Sequence, residues 1–380
     1  MTPNAQHYTE EHAAFRESLR RFVERELRPH ADAWEEAGGF PRELYRRLGE
    51  LGVLGLGYPE EYGGVPGDLF HRIVVSDELA EAGSGGLSAS LMSHSIGAPP
   101  ILAGGSAELK LRVLPQILSG EKISALAITE PSGGSDVASL LTTARRDGGY
   151  FVVNGSKMFI TSGMRADYTT VAVRTGGPGA GGVSLLLIER DTPGFSRSPL
   201  KKMGWWASDT AQLFFNDCRV PVENLIGEEN RGFRLVMKNF NSERIGMSAS
   251  ACAFARVCLD DAIAWARERR TFGKPLIEHQ VIRHKIVDMA MRVTAARAML
   301  EELAARVQDG ENPVAEICML KNFTTQAMQF CADQAVQIMG GMGFMRGSRV
   351  ERIYRDVKVM MIGGGAEEIM KDLAARQMGL

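Results

Sequence analysis

The chain has no Cys-x-x-Cys pair. Its five cysteines, Cys218, Cys252, Cys258, Cys318 and Cys331, are odd in number and scattered. That excludes a framework in which every thiol is paired, and it fits a reducing compartment. Cys252 and Cys258 lie in helix-like sequence and read as small core residues. Charge of one sign is missing too. Lys and Arg number 44 against 46 Asp and Glu, a net charge of −2. No global field therefore draws the chain to nucleic acid or to an anionic membrane, and any phosphate recognition must be local. No apolar run approaches the ~18 residues of a membrane span. His94 and His279 lack partners at metal-ligand spacing, so no metal is expected. There is no P-loop, no Gly-x-Ser-x-Gly elbow, no internal repeat and no low-complexity segment. The first 30 residues carry Glu10, Glu11, Glu17, Glu24 and Glu26. They resemble neither a signal peptide nor an acid-poor transit peptide, and a cytoplasmic location is the expectation.

What is present falls into three textures, giving expected domains at 1–121, 122–229 and 230–380. The first is mainly helical. From Glu10 to Glu36, the residues Phe15, Leu19, Phe22, Val23 and Leu27 recur at helical spacing as one apolar stripe. A second helix is expected from Pro41 toward Leu51. The middle region alternates as strands do. Asn154-Gly155 stands between apolar and β-branched runs and predicts a hairpin turn, with further strands at YTTVAVRT, GVSLLLIER and AQLFFND. From about residue 230 the helical period returns, predicting helices near 231–268, 279–308, 313–340 and 349–376, the last interrupted by Gly363, Gly364 and Gly365. The fold class is mainly α with a β domain: an N-terminal helical domain, a middle β domain and a C-terminal four-helix bundle.

Three short motifs could contact a ligand, and each also has a plain structural explanation. TEPSGGSD (129–136) is a simple turn or a loop whose N–H groups approach a polar group. It is not a GxGxxG that opens a helix, so a nicotinamide-type site is unsupported. RERRTFGKP (267–275) is a cationic helix end or a diphosphate contact. MGGMGF (339–344) is a helix cap or a close-approach loop. Glu243 stands out more. Val236, Phe240 and Met247 share its stripe on a continuous helix, and no basic residue stands at i±3 or i±4. Burial there would raise its pKa and suit it to accept a proton near neutrality. Alternatively, Asn241 or Ser242 caps a new helix with Glu243 in its first turn.

Together these segments resemble the acyl-CoA dehydrogenase family over essentially the whole length. The resemblance rests on PEEYGG (59–64), AITEPSGGSD (127–136), NGSKMFITSG (154–163), the segment from KMG to VPVENLIGEENRGF (202–233), ERRTFGKP (268–275), QIMGGMGF (337–344) and RDVKVMMIGGGAEEIM (355–370). It implies an FAD flavoprotein that desaturates acyl-CoA thioesters to trans-2-enoyl-CoA, one carboxylate taking the α-proton while flavin N5 takes the β-hydride. It also implies a homotetramer built as a dimer of dimers, with an electron-transferring flavoprotein as acceptor. An oxygen-using acyl-CoA oxidase and a catalytically silent FAD- or CoA-binding scaffold are the alternatives. Typical oxidases carry a substantial extra C-terminal region.

Residue by residue, the resemblance puts Leu126, Ala127, Ile128, Thr129, Ser135, Phe159, Ile160 and Thr161 at the flavin. It puts Arg269, Thr271, Phe272 and Gln280 at a partner's FAD, and Gln337, Gly340 and Gly341 at the adenosine portion. Asn241, Arg244, Ser135 and Gly364 would border the acyl-CoA. Ala366 and Glu368 stand where relatives have FAD-contacting Thr and Gln or Glu, and Trp206 where many have Arg or Lys. One reading of Trp206 is an aromatic wall near the substrate entrance. Many members place their base at the position of Gly364, which has no side chain. The long-chain and isovaleryl-type enzymes carry it instead on another helix just before an Arg, which matches Glu243-Arg244. Gly364 keeps an N–H that could polarise the thioester oxygen. Its bareness implies room for a methyl branch, so a long-chain or branched substrate is expected.

Overall fold

A computed structural model describes residues 7–380. The N-terminal part is helical: α1 (Glu10–Phe22), α2 (Ala31–Ala37), α3 (Glu43–Glu50), α4 (Leu69–Ala80), then the shorter α5 (Gly85–Leu91), α6 (His94–Gly97), α7 (Pro99–Gly104) and α8 (Ala107–Leu118). The stripe expected from Glu10 to Glu36 is not one α-helix. After α1 it loosens into a π turn (Val23–Leu27) and tightens into a 3-10 turn (Arg28–His30) before α2. Pro29 is the cause, because it has no N–H to donate back into the helix and its ring crowds the preceding turn. The apolar face survives the break, with Leu19, Phe22, Val23 and Leu27 all buried. Helix α3 forms as the sequence predicts.

The middle part is one sheet of eight strands: β1 (Ser124–Ala127), β2 (Thr143–Asp147), β3 (Tyr150–Thr161), β4 (Tyr168–Arg174), β5 (Val183–Glu189), β6 (Phe195–Pro199), β7 (Thr210–Pro221) and β8 (Leu225–Ile226). The order is β6-β7-β3-β2-β4-β5-β8, with β1 parallel to β4. The expected hairpin at Asn154-Gly155 is absent. β3 runs through it as a bulge, where the register against β7 shifts between Val153 and Gly155. Gly155 has φ +140°, and a Cβ there would meet Thr142 Oγ1 at 2.7 Å. The glycine thus permits close approach inside a bent strand. The real turn lies at Gly148-Gly149, between β2 and β3.

The C-terminal part is α9 (Gly232–Glu268), a small hairpin of β9 (Arg270–Thr271) and β10 (Lys274–Pro275), α10 (Gln280–Gln308), α11 (Val314–Met339), the single turn α12 (Gly341–Phe344), α13 (Arg349–Ile362) and α14 (Glu367–Gln377). α11 packs against α9, α10, α13 and α14. Ala251, Phe254, Val257, Cys258, Met328 and Ile353 build its core. Helix α9 also reaches the sheet: a Cβ on Gly232 would collide with the Ser184–Leu185 backbone. One rigid element therefore joins bundle and sheet. Among the described residues no helix is long and apolar enough to cross a membrane.

Candidate active site

One wall comes from the end of β1 and the bend of β3. The Met158 N–H donates to the Thr129 carbonyl at 2.8 Å, tying the two segments together. Beneath them lies a buried ion pair that the sequence did not announce. Lys157 donates to Glu130 Oε1 at 2.8 Å and to the Ile128 carbonyl at 3.0 Å. Glu130 also accepts from the Leu141 and Thr142 N–H groups at 2.6 and 2.8 Å. Burial alone would raise the Glu130 pKa, but the Lys157 charge and these hydrogen bonds hold it below the ordinary value. Burial pushes Lys157 down to about 8.

On this anchored base the backbone is strained outward. Phe159 has φ +62° and is 66% exposed. It sits where the β3–β7 register shifts between Lys157 and Ile160. A large ring held outward on left-handed backbone is stored strain of the kind found where ligands are clamped. Gly133 has nothing within 4 Å of its missing Cβ, leaving its backbone open. An exposed aromatic on a segment hydrogen-bonded to the Thr129 loop suits a flat ring, so these residues fit the FAD that the sequence implies. Thr129 and Thr161 are half-buried and Ser135 is exposed. Ala127, Ile128 and Ile160 turn their side chains into the core, and Leu126 packs against it. Those four can offer a ligand mainly backbone groups.

The other wall is α9 with the glycine loop. Helix α9 is continuous through Glu243, so neither Asn241 nor Ser242 caps a new helix. Glu243 Oε2 is buried and has no hydrogen-bond partner among the described residues. Oε1 lies 3.7 Å from where a Cβ on Gly364 would stand. Burial raises the Glu243 pKa to about 7, while Arg244 and Lys321 restrain the rise. Arg244 donates to the Gly364 carbonyl at 3.2 Å and to Asn241 Oδ1 at 3.2 Å. Buried Lys321 donates to the Met361 and Gly365 carbonyls at 2.9 and 2.7 Å. Two cations thus hold the loop by its carbonyls. Gly364 has φ +65° and Gly365 φ +117°, conformations that favour glycine. The Gly364 N–H has no acceptor among the described residues.

The room expected beside Gly364 is not there. A Cβ at 364 would stand 2.6 Å from Met247 Sδ, so a thioether fills that side. Met247 was legible only as a stripe residue. Lys321 carries a clearer signal in the sequence, as a lone cation in an apolar helix.

The other named residues lie elsewhere. Arg269, Thr271 and Phe272 belong to the hairpin beyond α9, where Phe272 has φ +51° and is 97% exposed. Gln280 begins α10, and Gln337, Gly340 and Gly341 are exposed at the far end of α11. Lys285 donates to Gln334 Oε1 at 2.5 Å, which puts the start of α10 beside the end of α11. Ala366 caps α14 and Glu368 is exposed in its first turn. Trp206 is not an open wall: Arg355 and Arg346 cover its ring at 3.7 and 4.5 Å. His12, Asp68 and His71 meet through space, hydrogen-bonded to one another across α1 and the start of α4.

The fold and these two walls define a three-domain enzyme architecture. Residues 9–121, 125–218 and 230–379 match the N-terminal, middle and C-terminal domains of acyl-CoA dehydrogenases. The chain belongs to the acyl-CoA dehydrogenase family. It is 38% identical to an acyl-CoA dehydrogenase of Bacillus subtilis, over 98% of this chain and 99% of that protein. A putative acyl-CoA dehydrogenase structure from Mycobacterium smegmatis superposes with a TM-score of 0.96 at 48% identity, covering 98% of both chains. A glutaryl-CoA dehydrogenase from the same organism, solved with FADH2, gives 0.92 at 27% identity over 98% of this chain and 96% of that one. The protein is an FAD-dependent enzyme acting on acyl-CoA.

Proposed function

We propose that Glu243 is the base of an acyl-CoA α,β-dehydrogenation and that the Gly364 N–H polarises the thioester oxygen. The observation carrying this reading is the unpartnered Oε2 of Glu243 opposite a loop with no side chain at 364. A pKa near 7 lets the carboxylate accept an α-proton without a large penalty. Arg244 and Lys321 hold the loop carbonyls, and so fix where the Gly364 N–H points before substrate arrives. FAD, when bound, supplies the acceptor for the β-hydrogen and its electron pair. Leu126 to Ser135 and Phe159 to Thr161 form its proposed seat.

Arg269 lies 26 positions beyond Glu243, about 39 Å along α9 at 1.5 Å per residue. One cofactor cannot touch both ends. Arg269, Thr271, Phe272 and Gln280 are therefore assigned to a neighbour's FAD and Gln337, Gly340 and Gly341 to the adenosine portion, which supports a homo-oligomer; a homotetramer is the proposed assembly. Base placement on α9, as in the long-chain enzymes the sequence resembles, favours a long acyl chain, Met247 fills the room a branch would need, and an electron-transferring flavoprotein is the proposed acceptor. The test is anaerobic mixing of the FAD-loaded protein with acyl-CoAs. Loss of flavin colour in the parent but not in Glu243→Gln supports the assignment, and equal bleaching in both sinks it.

A further inference from the structure

We propose that Met247 determines which acyl thioesters the site accepts, by occupying or vacating the space beside the two reacting carbons. This rests on the reading of Glu243 as base.

Met247 follows Glu243 by one helical turn, so both side chains share a face of α9. Its Sδ lies 2.6 Å from the Cβ position of Gly364, and its Cε lies 3.7 Å from those of both Gly363 and Gly364. The thioether therefore covers the side-chain faces of two successive glycines. Their bareness admits Met247 rather than leaving a void. The side chain is half-buried and packs against the bundle core. Methionine has three rotatable bonds and a polarizable end, which suits it to a space that is sometimes filled and sometimes not. With the thioether in place, an unbranched chain has only methylenes at its α and β carbons and fits. A methyl branch at either carbon needs the thioether to turn away. The substrate class is thus unbranched thioesters preferentially, with methyl-branched ones admitted at the cost of moving Met247.

The experiment compares an unbranched acyl-CoA with its α-methyl and β-methyl homologues of equal chain length. Two readouts are taken: kcat/KM for anaerobic flavin bleaching, and Kd by titration in the Glu243→Gln background. Met247→Ala should raise the branched-to-unbranched ratio of kcat/KM and lower that of Kd, each by about tenfold, the scale of a methylene in an apolar pocket. Met247→Leu, similar in volume but stiffer, should lower the kcat/KM ratio and raise the Kd ratio, and carries the test if the Ala variant loses FAD. Damage to the fold would lower both substrates together and leave the ratio alone. A ratio unchanged in rates and in affinities overturns the proposal. Turnover retained by Glu243→Gln overturns the base assignment instead, and the two failures are read separately.

Discussion

Glu130 and Glu243 each put carboxylate oxygens out of water near a buried lysine, and their surroundings differ in where that lysine spends its protons. Lys157 donates directly to Glu130, and two backbone N–H groups complete the carboxylate. Lys321 gives its hydrogen bonds to the Met361 and Gly365 carbonyls and leaves Glu243 with only its charge. The pKa values move in opposite directions accordingly, down at Glu130 and up at Glu243. A saturated carboxylate is a fastener, whereas one left short of donors still has a lone pair for a proton.

The largest effect should come from Glu243→Gln, with turnover falling about a thousandfold or more, FAD retained and the fold intact. Bleaching at the parent rate would erase the contrast. Next is Lys157→Met, which strands Glu130 and should cost about 3–5 kcal/mol, measured by denaturant unfolding. Removing both charges in Lys157→Met/Glu130→Gln, which keeps a side-chain oxygen for the Leu141 and Thr142 N–H groups, should recover much of that loss. If single and double variants are equally unstable, Lys157 acts by packing rather than by pairing. Gly364→Ala forces a side chain onto φ +65° and onto Met247 Sδ. It should cost about 1–2 kcal/mol from backbone strain, seen as a lower Tm. Gly364→Glu should likewise fail to restore turnover to Glu243→Gln.

The smallest effect concerns pH. Glu243 must be deprotonated to act, so kcat should climb as pH rises through about 7. Stability runs the other way. The folded pKa is raised above the ordinary 4.5, so the burial penalty is absent below 4.5 and grows until about pH 7. Glu243→Gln should therefore raise Tm above pH 7 and lose that gain as pH falls toward 4.5. A Tm gain independent of pH would mean that charge is not what Glu243 costs.

Periodicity made the bundle legible, since the long apolar stripes of α9, α10 and α11 leave little choice of face. It failed where local signals were overruled. Pro29 broke a stripe that otherwise read as one helix, and pairing with β7 turned Asn154-Gly155 from a turn into a bulge. The position of Glu243 on an apolar stripe was readable because both facts lie on one helix. Met247 against Gly364 was not, because that contact exists only once α9 and the loop after α13 are packed together. Lys157 with Glu130 was hidden similarly, joining a strand to the loop after another strand.

The nearness of Glu243 Oε1 to the side-chain position of residue 364 bears on how such an enzyme can change over time. A carboxylate entering from either segment would reach much the same spot. Descent can then relocate the acid in the chain while the cavity hardly notices. The exchange is not symmetrical here. With the Met247 sulfur against Gly364, an acid at 364 must displace the thioether, whereas one at Glu243 need not. One thioether thus decides which of the two segments can carry the acid with the least disturbance.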